Sequence, residues 1–133
     1  MEIIHTRTAD ISFVETGIAR LRFKPDIELD KDDILENLDA CVRLTGGRHC
    51  AILEVFENAG ITEDALRFAG SRENAKYRIA NALLIKTVSV KLLWSFFRIS
   101  FKPHVQNRVF MNEREALTWL RKVYHSSSVL SYQ

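Results

Sequence analysis

Cysteine, proline and long apolar runs are scarce in this chain of 133 residues. The two cysteines, Cys41 and Cys50, lack CxxC spacing, and the first residues contain no apolar stretch of secretory length. Both are therefore expected to be reduced thiols in a cytoplasmic protein. No segment reaches the roughly 20 apolar residues that a membrane-spanning helix needs, so the most apolar stretch, 89–102, is not expected to span a bilayer.

Repeats, low-complexity segments and linkers are also lacking. Together with an apolar fraction of 47%, this predicts a single domain over residues 1–125 and a flexible tail over 126–133. The net charge is only +2, which is too small to indicate nucleic acid as a partner.

Residue types that carry chemistry do not form a catalytic or metal-binding pattern along the chain. The four histidines lie far apart, and Gly46-Gly47 lacks the lysine and hydroxyl residue of a phosphate-binding loop. Glu54, inside an apolar run, is either an acid paired with an arginine or a perturbed catalytic carboxylate. Asn81, inside a second apolar run, is expected to bond a neighbouring backbone group. We predict no catalytic residue, no metal and no cofactor, and therefore a non-enzymatic protein.

The first third of the chain predicts a β-hairpin and then a helix. Residues 10–24 place nearly alternating apolar residues on either side of a turn at Glu15-Thr16-Gly17. Asp30 is a good N-cap for the helix that follows, and Gly46-Gly47 is typical of a helix end.

The remaining chain predicts alternating strands and helices. Two nearly continuous apolar runs, at 50–56 and 78–86, are typical of strands covered on both faces. The other elements are a helix capped by Thr62, a helix over 89–102, a strand at 107–111, and a helix from Asn112 with a capping box to Glu115. The predicted order is β-β-α-β-α-β-α-β-α. It implies an α/β fold with a mainly parallel sheet of about five strands, an N-terminal hairpin, and helices packed on the sheet.

Two stretches, ALLIKTVSVKLLWSFF and RVFMNEREALTWL, combine with this order and length to suggest a family. The chain resembles the STAS-like superfamily, and within it a small bacterial branch. That superfamily includes anti-sigma-factor antagonists and, more distantly, lipid-binding modules of the CRAL-TRIO type. The resemblance implies the α/β fold described above; it does not fix a function.

Thr62 stands where the resemblance implies a regulatory site. Anti-sigma-factor antagonists carry a phosphorylatable serine in an Asp-Ser-Ser-Gly-like motif at the start of the helix after the central strand. The stretch EVFENAGITEDALRF contains no serine, and a gapless comparison places Thr62, Glu63 and Asp64 over the motif. Because a phosphate on Thr62 would meet two adjacent acids, we interpret Thr62 as a plain N-cap and predict that the phospho-switch is inactive.

The small net charge conceals two opposed blocks. Asp26 to Leu66 contains eleven acidic and three basic residues, whereas Arg67 to Arg108 contains nine basic and one acidic residue. Either the blocks meet in the fold and neutralise each other, or a basic face and an acidic face serve different partners, a second copy of the chain among them.

The helix predicted over 89–102 has more apolar surface than one sheet contact requires. Its basic residues and one serine form a narrow stripe, with apolar flanks on both sides. The candidates for an interaction or ligand surface are Lys91, Trp94, Phe97, Arg98, Phe101 and Lys102. The second flank fits a homodimer or another protein contact, a membrane surface or acyl ligand, or burial within the monomer.

These patterns favour a cytoplasmic, non-enzymatic interaction or regulatory module, with a homodimer as the first choice of assembly. The alternative is a module that binds a lipid or another amphipathic anionic ligand near the 89–102 helix.

Overall fold

A six-stranded mixed sheet is the centre of this computed structural model, which describes residues 2–85 and 104–127. The elements within those residues are β1 (Ile3–His5), β2 (Ala9–Glu15), β3 (Ile18–Phe23), β4 (Glu28–Leu29), α1 (Lys31–Thr45), β5 (Cys50–Phe56), β6 (Gly60–Ile61), α2 (Glu63–Ala69), α3 (Arg72–Ala75), β7 (Arg78–Ile85), β8 (Gln106–Phe110) and α4 (Glu113–His125). The helix predicted over 89–102, and residues 128–133 of the predicted tail, lie outside the described residues.

The strand order of the large sheet is β1-β2-β3-β5-β7-β8. Strands β1, β2 and β3 are antiparallel neighbours, whereas β3, β5, β7 and β8 are parallel. Helix α1 connects β3 to β5, and α2 with α3 connects β5 to β7. The predicted α/β fold, with its N-terminal hairpin and mainly parallel sheet, is confirmed.

Short elements depart from the predicted order. The sheet has six strands rather than about five because β1 was not predicted; it has three residues, two of them exposed, so no apolar alternation marks it. The two-residue strands β4 and β6 pair with each other in a separate small sheet. Helix α2 ends at Ala69 with Gly70 as its C-cap, and Ser71 caps a further short helix, α3.

Apolar side chains form a core on each face of the large sheet. All seven residues of β5 are buried, which confirms the prediction of a strand covered on both faces. Ile52 and Phe56 pack with α1 and α2, whereas Leu53 and Val55 pack with α4. This division follows from the alternation of side chains along a strand.

Helix α1 begins with a reciprocal cap. The backbone N–H of Asp33 donates to Asp30 Oδ1 at 2.9 Å, and that of Asp30 donates to Asp33 Oδ2 at 3.0 Å. Asp30 is thus confirmed as the N-cap, while the return bond from Asp33 was not predicted. Arg7, between β1 and β2, donates from Nε to Asp33 Oδ1 at 2.7 Å and from Nη2 to Oδ2. Asp33 therefore links the start of α1 to the loop between β1 and β2.

Helix α4 begins at the predicted N-cap. Asn112 Oδ1 accepts a hydrogen bond from the Glu115 N–H at 3.1 Å. The predicted return bond from the Glu115 carboxylate is wrong, because no such bond forms among the described residues and Glu115 is exposed. Leu120 is fully buried against β5 and β7, and Leu117 is half-buried at the margin of the same core.

Two substitutions in α4 distinguish the stability that comes from packing against the sheet from the stability that comes from the N-cap. Leu120→Ala should lower the free energy of unfolding by about 2–5 kcal/mol, because it removes buried surface and leaves a cavity. Asn112→Ala should cost only about 1 kcal/mol, since one cap bond is lost. Urea unfolding of both variants at one pH measures this order, and a larger loss for Asn112→Ala would contradict the docking of α4 on the sheet.

Acid should weaken the link between Arg7 and Asp33. The hydrogen bond from Arg7 holds the pKa of Asp33 below its ordinary value of 3.8. A carboxyl group whose pKa is lower in the folded state than in the unfolded state stabilises the fold at a pH above its ordinary pKa. This stabilisation is lost as the pH falls through the pKa of the folded state. Asp33→Asn should therefore cost about 1–3 kcal/mol at neutral pH.

The loss should shrink as the wild-type carboxylate is protonated, below about pH 4. Urea unfolding of the wild type and Asp33→Asn over a pH series measures the difference. Asp32→Asn is the matched control, because Asp32 is an exposed acid in the same helical turn. A difference between wild type and Asp33→Asn that stays constant down to pH 2 would contradict this role for Asp33.

Candidate functional site

The surface candidates from the sequence all lie outside the described residues. They are Lys91, Trp94, Phe97, Arg98, Phe101 and Lys102. Their proposed contacts remain predictions. The described residues do define the strand that leads into that segment, because β7 ends at Ile85 at the carboxyl edge of the parallel strands.

Thr62 occupies the N-cap of α2. Its hydroxyl accepts a hydrogen bond from the Ala65 N–H at 3.2 Å, and Glu63 and Asp64 fill the first turn. The interpretation of Thr62 as an N-cap is confirmed. The absence of phosphorylation at this residue stays a prediction.

Glu54 is paired with an arginine, which confirms the first of the two interpretations of this residue. Arg78 Nη1 lies 2.5 Å from Glu54 Oε1, and the two side chains are 7% and 9% exposed, respectively. The pair lies in the layer between the sheet and α1, where Ile34 and Asn37 line the same small void. Removing two charges from water is costly, so their close contact offsets a large desolvation penalty.

A bulge in β7 places Arg78 on this face. Cys50 is paired with Arg78 but Ala51 is paired with Ala80, so Ile79 is an extra residue in the register. Arg78 and Asn81 thereby reach the same side of the sheet, and Arg78 Nη1 also donates to Asn81 Oδ1 at 3.0 Å. A bulge redirects a side chain in this way because it shifts the two-residue alternation by one.

Asn81 continues the network into the next strand. Its Nδ2 donates to Oδ1 of Asn107, the residue directly opposite on β8, at 2.8 Å. The prediction that Asn81 bonds a backbone group was wrong, because its two partners are side chains. The side chains of three neighbouring strands are thus joined in one polar layer, which is buried at Glu54 and Asn81 and half-buried at Asn107.

The charges within this polar layer compensate each other. The Glu54 carboxylate is in contact with the Arg78 guanidinium, so each of the two buried charges has a partner. Burial raises the pKa of Cys41 and of Cys50, so both free thiols stay protonated and are poor nucleophiles.

The four histidines are dispersed over the described residues. His5 Nδ1 lies 2.6 Å from Asp10 Oδ1, and His49 contacts Tyr77 edge to face, whereas His104 and His125 lie elsewhere. No group of three or more metal-ligating side chains occurs within residues 2–85 and 104–127. Helices α1 to α4 all lack the combination of length and apolar character that crossing a bilayer requires.

The acidic and basic blocks meet at two places in the described residues. Glu54 pairs with Arg78, and Arg67 lies 3.2 Å from Glu63 and 3.7 Å from Asp64. The two blocks therefore neutralise each other at these contacts, while other charges of both blocks lie on the surface of the described residues.

A groove of about 380 Å³ opens on the α4 side of the sheet towards its carboxyl edge. It is lined by Arg20, Arg22, Val55, Leu84, Met111 and Glu113, and we call it the arginine groove. Ligands of open α/β sheets commonly bind outside the carboxyl ends of the strands.

Two arginines dominate the charge of the arginine groove. Arg20 Nη2 lies 3.2 Å from Glu113 Oε1, but Arg20 Nε is buried and finds no hydrogen-bond acceptor. Arg22 is exposed and forms no ion pair with another described residue. Met111, 57% exposed, adds an apolar contact at the rim. The groove therefore offers unused donors beside a flexible apolar side chain.

The arginine groove was not predicted, although the sequence contains a signal for it. In the strand IARLRF, one face carries Ala19, Leu21 and Phe23, and the other carries two arginines after Ile18. An interior strand with arginines on one face indicates that this face is left partly uncovered.

Residues 12–124 match the sequence profile of a domain of unknown function, DUF7793. The chain belongs to this family. No curated protein matches it in sequence.

A similar solved structure is that of an uncharacterized protein of the DUF3478 family from Shewanella loihica PV-4, described as having a SpoIIAA-like fold. It is 12% identical, the match covers 90% of each chain, and the TM-score is 0.55. Likeness at this identity shows the fold alone, and it confirms the STAS-like fold inferred from the sequence.

The buried pair predicts a strong asymmetry between single and double substitutions. Arg78→Met should cost about 3–5 kcal/mol, because it leaves the Glu54 carboxylate buried without a cation. Adding Glu54→Leu to Arg78→Met should recover much of that loss, since no unpaired charge remains. Urea unfolding of the four members of the double-mutant cycle measures the coupling. Losses that simply add would show that the two residues do not stabilise each other.

Proposed function

We propose that this domain is a non-enzymatic, cytoplasmic interaction and regulatory module that works as a homodimer, without a cofactor and without nucleic acid as a partner. The observation that carries the proposal is the arginine groove, which lies at the carboxyl edge where the chain leaves β7 for residues 86–103. That segment contains the predicted two-flanked helix.

The composition of the groove supports a protein as the partner. Arginine and methionine are enriched in protein interfaces, and arginine is frequent among the residues that dominate binding energy. The exposed Met111 adapts its shape to an apolar partner surface. Arg22 and the free Nε of Arg20 favour a partner with acidic side chains.

The same edge of the domain carries such acidic side chains. Asp26 and Glu57 lie in the loops after β3 and β5, and both are exposed without an ion pair to another described residue. The loops are tied together, because the Asp26 N–H donates to the Glu57 carbonyl oxygen at 3.3 Å and Asn58 Nδ2 donates to Asp26 Oδ1 at 2.6 Å.

Positive and negative groups at one edge make that edge self-complementary. Under twofold symmetry, the arginines of one copy face the acids of the other, and the reverse contact forms at the same time. This supports a second copy of the chain as the partner. A separate acidic protein, or a lipid bound near residues 89–102, is the competing occupant.

Charge reversal tests the homodimer. The wild type should sediment as a dimer, and Arg22→Glu and Glu57→Arg should each raise the dimer dissociation constant by about tenfold or more. The double variant should recover part of the affinity. Arg43→Glu is the matched control, because Arg43 is exposed on α1 near the opposite edge of the sheet. A wild type that stays monomeric at high concentration would overturn the homodimer.

Variants in the predicted 89–102 helix complete the test. Trp94→Ala and Phe97→Ala should weaken the dimer, as measured by light scattering, without loss of the folded circular dichroism spectrum. Mass spectrometry of the purified wild type identifies any co-purified lipid. A stoichiometric lipid together with unchanged association of both variants would replace the homodimer by the lipid-binding alternative.

A further inference from the structure

A second cavity, of about 530 Å³, lies at the amino edge of the parallel strands, away from the arginine groove. It is bounded by the β2–β3 turn, the loop between α1 and β5, and the end of α4. Its lining includes Phe13, Val14, Glu15, Arg48 and Tyr124, and we call it the Tyr124 pocket. The volume falls within the range of about 300–1,000 Å³ that is usual for small-molecule sites.

Three consecutive residues of β2 line the Tyr124 pocket, which a regular strand would not allow. The register of β2 against β3 shifts between Phe13 and Glu15, so a bulge interrupts the alternation there. Phe13 packs against the α1-side core, whereas Val14 and Tyr124 pack against the α4-side core. The pocket therefore lies where both apolar cores reach the amino edge, and Phe13, Val14 and Tyr124 give it one apolar wall.

Gly17 shapes the floor of the pocket. Its backbone is left-handed, with φ of +84°, and a Cβ at this position would overlap the ring of Tyr124. The absence of a side chain thus lets the Tyr124 ring lie over the hairpin turn. The Tyr124 ring lies against the Gly17 backbone and forms one wall of the pocket.

The charge balance of the pocket favours an anion. The Glu15 carboxylate accepts hydrogen bonds from Arg121 Nη2 at 2.8 Å and from Nε at 3.0 Å, so its charge is already compensated. The exposed Arg48 forms no ion pair with another described residue. His49, beside it, adds a ring nitrogen.

We propose that the Tyr124 pocket binds a compact amphipathic organic anion, whose apolar ring lies against Phe13, Val14 and Tyr124 and whose acidic group contacts Arg48. The site is independent of the homodimer proposed above, because it uses the opposite edge of the sheet. Its ligand class follows from the apolar wall combined with the guanidinium of Arg48, which forms no ion pair within residues 2–85 and 104–127.

The fluorescent anion 8-anilinonaphthalene-1-sulfonate is a suitable probe, since it combines aromatic rings with one sulfonate. The wild type should bind it saturably with one site per chain. Arg48→Gln should raise the dissociation constant about tenfold, while leaving the circular dichroism spectrum and thermal midpoint unchanged. Methyl resonances of Val14 should shift on titration with the probe.

Two arginine variants serve as matched controls. Arg43→Gln alters an exposed arginine outside both cavities, and Arg22→Gln alters the arginine groove. Both should leave the affinity for the probe unchanged. Absence of saturable binding, equal affinity of the wild type and Arg48→Gln, or loss of binding in Arg22→Gln in place of Arg48→Gln would overturn the proposal.

Discussion

The ion pair between Glu54 and Arg78 joins two neighbouring interior strands of the sheet, β5 and β7, in a layer that α1 closes off from water. Burial of two charges is tolerated only when each meets its partner at close range, with further hydrogen bonds to the remaining groups. That condition fixes several other features. It requires the bulge at Ile79, the register of β5 against β7, and the asparagines that extend the layer to β8.

The fold could be predicted from the sequence where one signal dominates a segment. Asp30 before an amphipathic stretch, Gly46 after it, and the apolar runs in β5 and β7 each indicate one structure on their own. The chain lacks such a signal at β1, which is short and exposed, and at Ile79, where only pairing with another strand creates the bulge. The partners of Asn81 likewise depend on strand register, which the sequence does not reveal.

Candidate sites were harder to predict because they form between elements that are distant in the sequence. Arg20 and Arg22 become a groove only when Met111 and Glu113 arrive beside them, about ninety positions later. The Tyr124 pocket similarly needs the hairpin turn and the end of α4 at one place. The two cavities lie at opposite edges of the large sheet, so a partner in the arginine groove would leave the Tyr124 pocket open.

The contact between Gly17 and Tyr124 sets a rule for the natural variation of this domain. Any side chain at position 17 would occupy the space of the aromatic ring at position 124, and the left-handed backbone adds a second cost. We therefore expect the two positions to change together. Relatives that carry a larger residue at 17 should have lost the ring at 124, and with it one wall of the cavity. Paired substitution along the family tree would record which lineages have kept that cavity.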